Sequence, residues 1–195
     1  MPSGLPPYIE ECSDRAAPGE HGIWVIIFGD LAIFALFFVY YASCYRDNSS
    51  VFAQQQLTLN RSVGLANTIL LITSSYWVAK GVRIARKDHD AYRRYLGGAI
   101  GCGIGFILLK ANEWAEKLAS GISPNSGSFF MFYFTLSGIH LVHLVVGLVL
   151  LALLRSRASN GGLRSAGLIE GGALFWHLVD VLWVFLFPLL YLVRA

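Results

Sequence analysis

Four acids and three histidines of this sequence lie in or beside stretches too apolar for water, and they are the side chains most able to do chemistry. His177 and Asp180 sit three apart within Phe175-Trp176-His177-Leu178-Val179-Asp180-Val181-Leu182-Trp183, on neighbouring positions of one helix face. His140 and His143 repeat that spacing in another apolar run, and Asp30 is the only charge of the first. Glu170 stands near the start of the last run and Glu113 beside a short one. An acid at the centre of a spanning helix costs about 3 kcal/mol on insertion scales, so it must face protein, pair, or serve a pathway. With a rise of about 1.5 Å per residue and a hydrocarbon core of about 30 Å, His140, His143, His177 and Asp180 all fall near mid-membrane, where they are expected to form one network. Three chemistries suit such a set. Imidazole and carboxylate can satisfy each other's polar atoms, can relay protons, or two imidazoles can ligate a haem iron. Against haem, Asp180 beside His177 already supplies a hydrogen-bond partner, and no further polar set marks an electron donor.

The remaining acids carry two readings each. Asp30 is a carboxyl neutralised by burial or bonded to a hydroxyl, or a proton-handling or subunit-contact group. Glu113 has a structural reading as the i,i+4 partner of Lys117, with Trp114 as an interfacial anchor, and a functional one as an intramembrane acid.

The elements that must position these residues are helices in a bilayer. The 195 residues are 55% hydrophobic with a mean hydropathy of +0.56 and 14% charged, against about 25% charged in soluble domains. This predicts an all-α integral membrane bundle with transmembrane helices at about 23–41, 63–79, 129–154 and 168–193 and a fifth candidate at about 96–115, whose apolar run is short, forming one domain over 23–195 after a polar, proline-containing tail over 1–22. The tail lacks the basic-then-apolar order of a leader, so the first span is expected to direct insertion. A net charge of +3 is no nucleic-acid signal, because the basic residues cluster beside helix ends. Cys12, Cys44 and Cys102 have no paired spacing, which indicates neither a disulfide framework nor a zinc site.

Charge sets the orientation. A cytoplasmic N-terminus puts ten Lys and Arg on the inner segments, six of them between Lys80 and Arg94, against five on the outer segments. Lipid headgroups could also bind that basic loop, although topology alone accounts for it. A four-span chain omitting the third helix gives the same count, so charge leaves the span number open. In the second helix Asn67 and Ser74 are seven apart, as are Thr68 and Ser75, a polar stripe suited to helix-to-helix hydrogen bonds. In the third, Gly97, Gly101 and Gly105 at four-residue spacing predict a close-packing face.

Together these residues resemble subunit III of the haem-copper oxidase superfamily in its five-helix form. The resemblance covers about Pro18 to the C-terminus. It rests on Gly22-Ile23-Trp24 with Asp30, on Asn67-Thr68 followed by Thr73-Ser74-Ser75, on Gly138-x-His140-x-x-His143-x-x-x-Gly147, and on Trp176-His177-x-Val179-Asp180-Val181-x-Trp183. Pro18-Gly19-Glu20 running into Gly29-Asp30, and Phe129-Phe130-Met131-Phe132-Tyr133-Phe134, resemble more closely the short branch associated with bacterial nitric oxide reductases. The resemblance implies five spans in a bacterial inner membrane and a non-catalytic accessory subunit of a cytochrome c oxidase or nitric oxide reductase complex. It further implies that haem and metal reside in a catalytic partner subunit and that none is bound here directly. Phospholipid is implied in a cleft between the first two helices and the rest, with support for proton uptake. Asp30 would stand for the family's buried carboxylate, and Asp30, Glu113, His140, His143, Glu170, His177, Asp180 and Trp183 for an intramembrane polar network. The rivals are a small proton or solute carrier using Asp30, Glu113 and Asp180, and a bis-histidine haem protein.

Overall fold

A computed structural model describes residues 21–85, 87–159 and 166–193. The expected tail lies almost wholly outside them, as do Arg15, Arg86, Arg164 and Arg194 of the orientation count. Six α-helices and no strand are present among the described residues: α1 (His21–Asp47), α2 (Ser49–Gln56), α3 (Arg61–Ile84), α4 (His89–Ala119), α5 (Ser128–Ser159) and α6 (Ala166–Phe187). All but α2 are long and apolar enough to cross a membrane, and the segment carrying Glu113 is one of the five.

The second and third spans start before their expected bounds because caps, not the edges of the apolar runs, begin them. Asn60 accepts from the Ser62 amide at 3.0 Å to start α3, and Asp88 accepts from the Ala91 amide at 2.9 Å to start α4. At its far end α4 stops where Gly121 takes a φ of 77°, a left-handed conformation open to glycine. The 31 residues of α4 therefore reach about 45 Å.

The polar stretch after the first span, with Gln54, Gln55 and Gln56, reads as a loop in the sequence but is the helix α2. Phe52 and Gln56, one turn apart, are its buried face. Phe52 packs between Tyr41, Tyr45 and Phe129, with ring centroids 5.5–5.8 Å apart, and Gln56 reaches the end of the last span. Three consecutive glutamines hid a helix whose burial is supplied by tertiary contacts.

Four spans, α3 to α6, form the body of the bundle, and α1 leans on it through a narrow seam. Ile27, Phe34 and Tyr41, spaced by seven, are the buried residues of α1, while Val25, Phe28, Leu36 and Val39 face outward. Lipid offers no hydrophobic drive between helices, so close approach depends on small residues. The glycine positions differ from expectation. A Cβ at Gly101 would meet nothing within 4 Å, and at Gly105 only Leu70. Close packing falls on Gly98, where Trp77 occupies the site of a Cβ, and on Gly103, where Leu148 and Trp176 would lie 2.7 and 3.0 Å away. The four-residue glycine repeat drifts off the contact face, which follows spacings of three and four through Tyr92, Leu96, Ala99, Gly103 and Phe106.

Candidate functional site

That same buried face of α4 continues to Lys110 and Glu113, so helix geometry carries two charges into the bundle. Lys110 and Glu113 are 1% and 2% exposed and form an ion pair at 2.9 Å. The other Lys110 protons go to the Tyr133 hydroxyl at 3.1 Å and the Tyr191 hydroxyl at 2.8 Å. Tyr191 in turn donates to the Glu113 carboxylate, its oxygens 2.9 and 2.8 Å away. The ammonium also lies 4.3 Å from the Tyr133 ring centroid. All three ammonium donors are thus used, the condition under which a buried charge is tolerated. This corrects the expected Glu113–Lys117 pair. Lys117 donates instead to the Thr58 carbonyl, and Lys110, counted as an outer charge, is interior.

Tyr191 lies in a turn of π-helix, Pro188–Leu192, that ends the last span. Leu189 lies in this last turn, where helix carbonyls look outside the helix for donors, and its carbonyl accepts from side chains. Tyr41 donates to it at 3.1 Å and the Gln56 amide at 3.2 Å. Lys110, Glu113, Tyr41 and Gln56 therefore fasten one irregular segment from α1, α2 and α4.

A second set joins α3 to α6. Trp183 donates its indole N–H to the Thr68 hydroxyl and Trp176 donates to Ser74, each at 3.1 Å. Ser74 donates to the Ala99 carbonyl at 3.1 Å, and the Ser75 hydroxyl lies 2.6 Å from His177 Nδ1. The pairs run antiparallel along the two helices. The spacing of Trp176 and Trp183, seven, is close to the six of their partners Thr68 and Ser74, a signal readable in the sequence only once α3 and α6 are known to be neighbours.

The single mid-membrane network is not formed. His140 is wholly buried with its ring between those of Phe106 and Trp183, centroids 5.5 and 5.2 Å away, and neither ring nitrogen makes a hydrogen bond among the described residues. His177 turns to Ser75. Asp180 is 4% exposed; Ser75 lies beside it, but its oxygens make no hydrogen bond of good geometry. Buried Asn67 likewise makes no side-chain hydrogen bond among the described residues. Spacing of three put His140 and His143 near one face, but α5 packs against different neighbours at the two positions.

His143 instead faces Asp30 of α1, with Nε2 3.3 Å from a carboxylate oxygen. Its Nδ1 lies 2.8 Å from the Ile139 carbonyl, which can only accept, so Nδ1 carries a proton. A neutral ring would then point a lone pair at the Asp30 carboxylate. The contact is attractive only when one further proton resides on Nε2 or on the carboxyl. Both side chains line a groove of about 610 Å³ between α1, α5 and α6, otherwise walled mainly by Ile, Val, Leu, Gly and Phe, with Arg157 towards the end of α5. Glu170, in the second turn of α6, makes no ion pair or side-chain hydrogen bond among the described residues. Among those residues no three His, Cys, Asp or Glu side chains converge as metal ligands would.

Comparison with known proteins agrees with this architecture. The family model described as cytochrome c oxidase subunit III matches residues 19–194. The chain is 27% identical over 176 residues to the cytochrome bo(3) ubiquinol oxidase subunit 3 of Buchnera aphidicola subsp. Schizaphis graminum, covering 88% of this chain and 92% of that protein. It is 29% identical over 174 residues to the cytochrome c oxidase subunit 3 of Bacillus sp. (strain PS3), covering 88% and 84%. It is also 27% identical over 200 residues to the haem-copper oxidase subunit I+III of Aeropyrum pernix, covering 97% of this chain and 24% of that protein.

Proposed function

Because the chain belongs to the cytochrome c oxidase subunit III family, and is thereby a non-catalytic accessory subunit of a haem-copper oxidase-type complex, we propose that its work there is to brace the catalytic subunit, hold phospholipid and support proton uptake. It is a multi-pass protein of the bacterial inner membrane. The observation that carries the proposal is the groove between α1, α5 and α6. Its apolar walls suit acyl chains, Arg157 suits a headgroup phosphate, and the Asp30–His143 pair sets a proton-holding group against the lipid. The groove is narrower than the cleft implied by resemblance, since α1 forms one wall and α5 and α6 the other while no residue of the second span, α3, lines it.

A haem-bearing membrane subunit is the expected partner, with haem and metal ligated by that partner. The relative that joins subunits I and III in one chain supports such a pairing. On the Pro18–Gly19–Glu20 and 129–134 runs we place the chain in the nitric oxide reductase-associated branch, with the N-terminus cytoplasmic.

Purification of the tagged protein in mild detergent tests the reading. A stoichiometric haem-bearing subunit is the expected companion, and its reduction of nitric oxide rather than oxygen would fix the branch. Recovery of the chain alone, under conditions that preserve respiratory complexes, would overturn the accessory role.

A further inference from the structure

Arg155 and Arg157 are two apart near the end of α5, about 200° around the helix, so they serve opposite faces. Arg157 lines the groove already described. Arg155 reaches across to the start of α4, where with Arg93, Arg94 and Asp90 it lines a polar notch of about 320 Å³. We propose that this notch binds the phosphate of an anionic phospholipid, at a site separate from the groove.

The charges favour an anion. Three guanidinium groups meet one carboxylate, and that carboxylate, on Asp90, stands 3.8 Å from Arg93 with most of its own surface exposed. Arg93 keeps a buried Nε with no hydrogen-bond partner. Planar guanidinium groups bind phosphate oxygens with paired donors, which fits them to this ligand better than lysines. The start of α4 adds the positive end of a helix dipole.

The notch is also shaped. Gly97 leaves room for the Arg155 guanidinium, whose carbon would lie 3.4 Å from a Cβ there. One turn further Gly101 is open, and Ile104 and Leu108 are 48% and 64% exposed on the same face. From Gly97 to Leu108 this apolar track runs about 16 Å, close to half the hydrocarbon thickness of about 30 Å. A free phosphate ion has no use for such a track. An acyl chain beneath a headgroup held by the arginines fits its position and length. Lys80, whose ammonium lies over the Tyr76 and Tyr95 rings at 5.2 and 5.9 Å, adds positive charge near the same end of the bundle.

The test is native mass spectrometry of the full chain in its complex, titrated with phosphatidylglycerol, phosphatidylcholine or inorganic phosphate. Wild type should show at least one phosphatidylglycerol held roughly ten-fold more tightly than phosphatidylcholine. Replacing Arg93, Arg94 and Arg155 by Gln should lower the number of tightly held phosphatidylglycerols by one per chain, and Arg157→Gln, which bears on the groove, should leave that one in place. Gly101→Leu should weaken phosphatidylglycerol by obstructing the track without touching the arginines. A triple variant that holds as many phosphatidylglycerols as wild type overturns the site. Binding of inorganic phosphate without any preference among lipids assigns the notch to the free ion and overturns the headgroup. Loss of lipid only in Arg157→Gln leaves the groove standing and removes this second site.

Discussion

Lys110–Glu113 and Asp30–His143 each set a carboxylate against a basic nitrogen inside the membrane, yet only the first is sealed. Its side chains are 1% and 2% exposed and every ammonium proton has a partner. The second pair has 18% and 21% exposure, a longer contact of 3.3 Å, and a groove beside it. Sealing decides what such a pair can do. A buried charge with all its partners fixed holds helices in place, because any change in its protonation leaves several groups unsatisfied at once. A pair that borders a groove gives or takes a proton with less disruption. The helices carrying the two carboxylates differ in the same sense: 28% of the apolar stretch of α4 is buried inside the bundle, against 11% of that of α1.

The sharpest way to break this contrast is to remove one member of the sealed pair. Lys110→Met leaves Glu113 buried with Tyr191 as its remaining donor, and should destabilise the complex by about 3–5 kcal/mol. Adding Glu113→Leu should return most of the loss, because an apolar pair of similar volume leaves no stranded charge. Thermal unfolding followed by tryptophan fluorescence reads both variants. A single variant within about 1 kcal/mol of wild type would mean that the cluster does not fasten the bundle.

Next in size are the glycines. Gly103→Leu forces Leu148 and Trp176 apart and should cost about 1–3 kcal/mol or more, whereas Gly101→Leu, pointing into open space, should stay within about 0.5 kcal/mol in the same unfolding assay. Equal losses at both positions would place a further contact over Gly101.

These positions also mark how far the sequence could be read. Four spans follow from the apolar runs, since the bilayer dictates length and composition locally, whereas the third, with its short apolar run, rested on the resemblance and is present as α4. The contact face of α4 was readable too, because Leu96, Ala99, Gly103, Phe106, Lys110 and Glu113 keep spacings of three and four. A four-residue glycine repeat, followed without that check, led to the wrong face. Partner choice was less accessible. Whether Glu113 pairs forward with Lys117 or back with Lys110 depends on where Tyr133 and Tyr191 come to lie, which is tertiary information. His143 likewise found its acid on α1, more than a hundred residues away, rather than on α6, where spacing pointed.

A smaller effect is expected at the π-helical turn. Tyr41→Phe removes one of two donors to the Leu189 carbonyl and leaves the ring packing intact, so about 1 kcal/mol should be lost. Gln56→Leu in the same background should lose more than the single change, because the carbonyl is then left without a side-chain donor. Strict additivity of small losses would show that the turn holds without either group.

Asp30→Asn should have the smallest effect on stability and the most informative one on function. With Nδ1 of His143 committed to the Ile139 carbonyl, an asparagine amide can donate to a neutral Nε2, so the contact survives while the extra proton is no longer needed. Partly exposed pairs are worth about 0–1 kcal/mol, and unfolding should shift by no more than that. Proton uptake by the assembled complex during sustained turnover should nevertheless slow, and His143→Leu should slow it as well. A loss of stability in Asp30→Asn as large as that in Lys110→Met would make both pairs structural and erase the contrast between them. Unchanged proton uptake with unchanged stability would instead leave the groove a lipid site alone, with its acid and histidine serving only to hold α1 against α5.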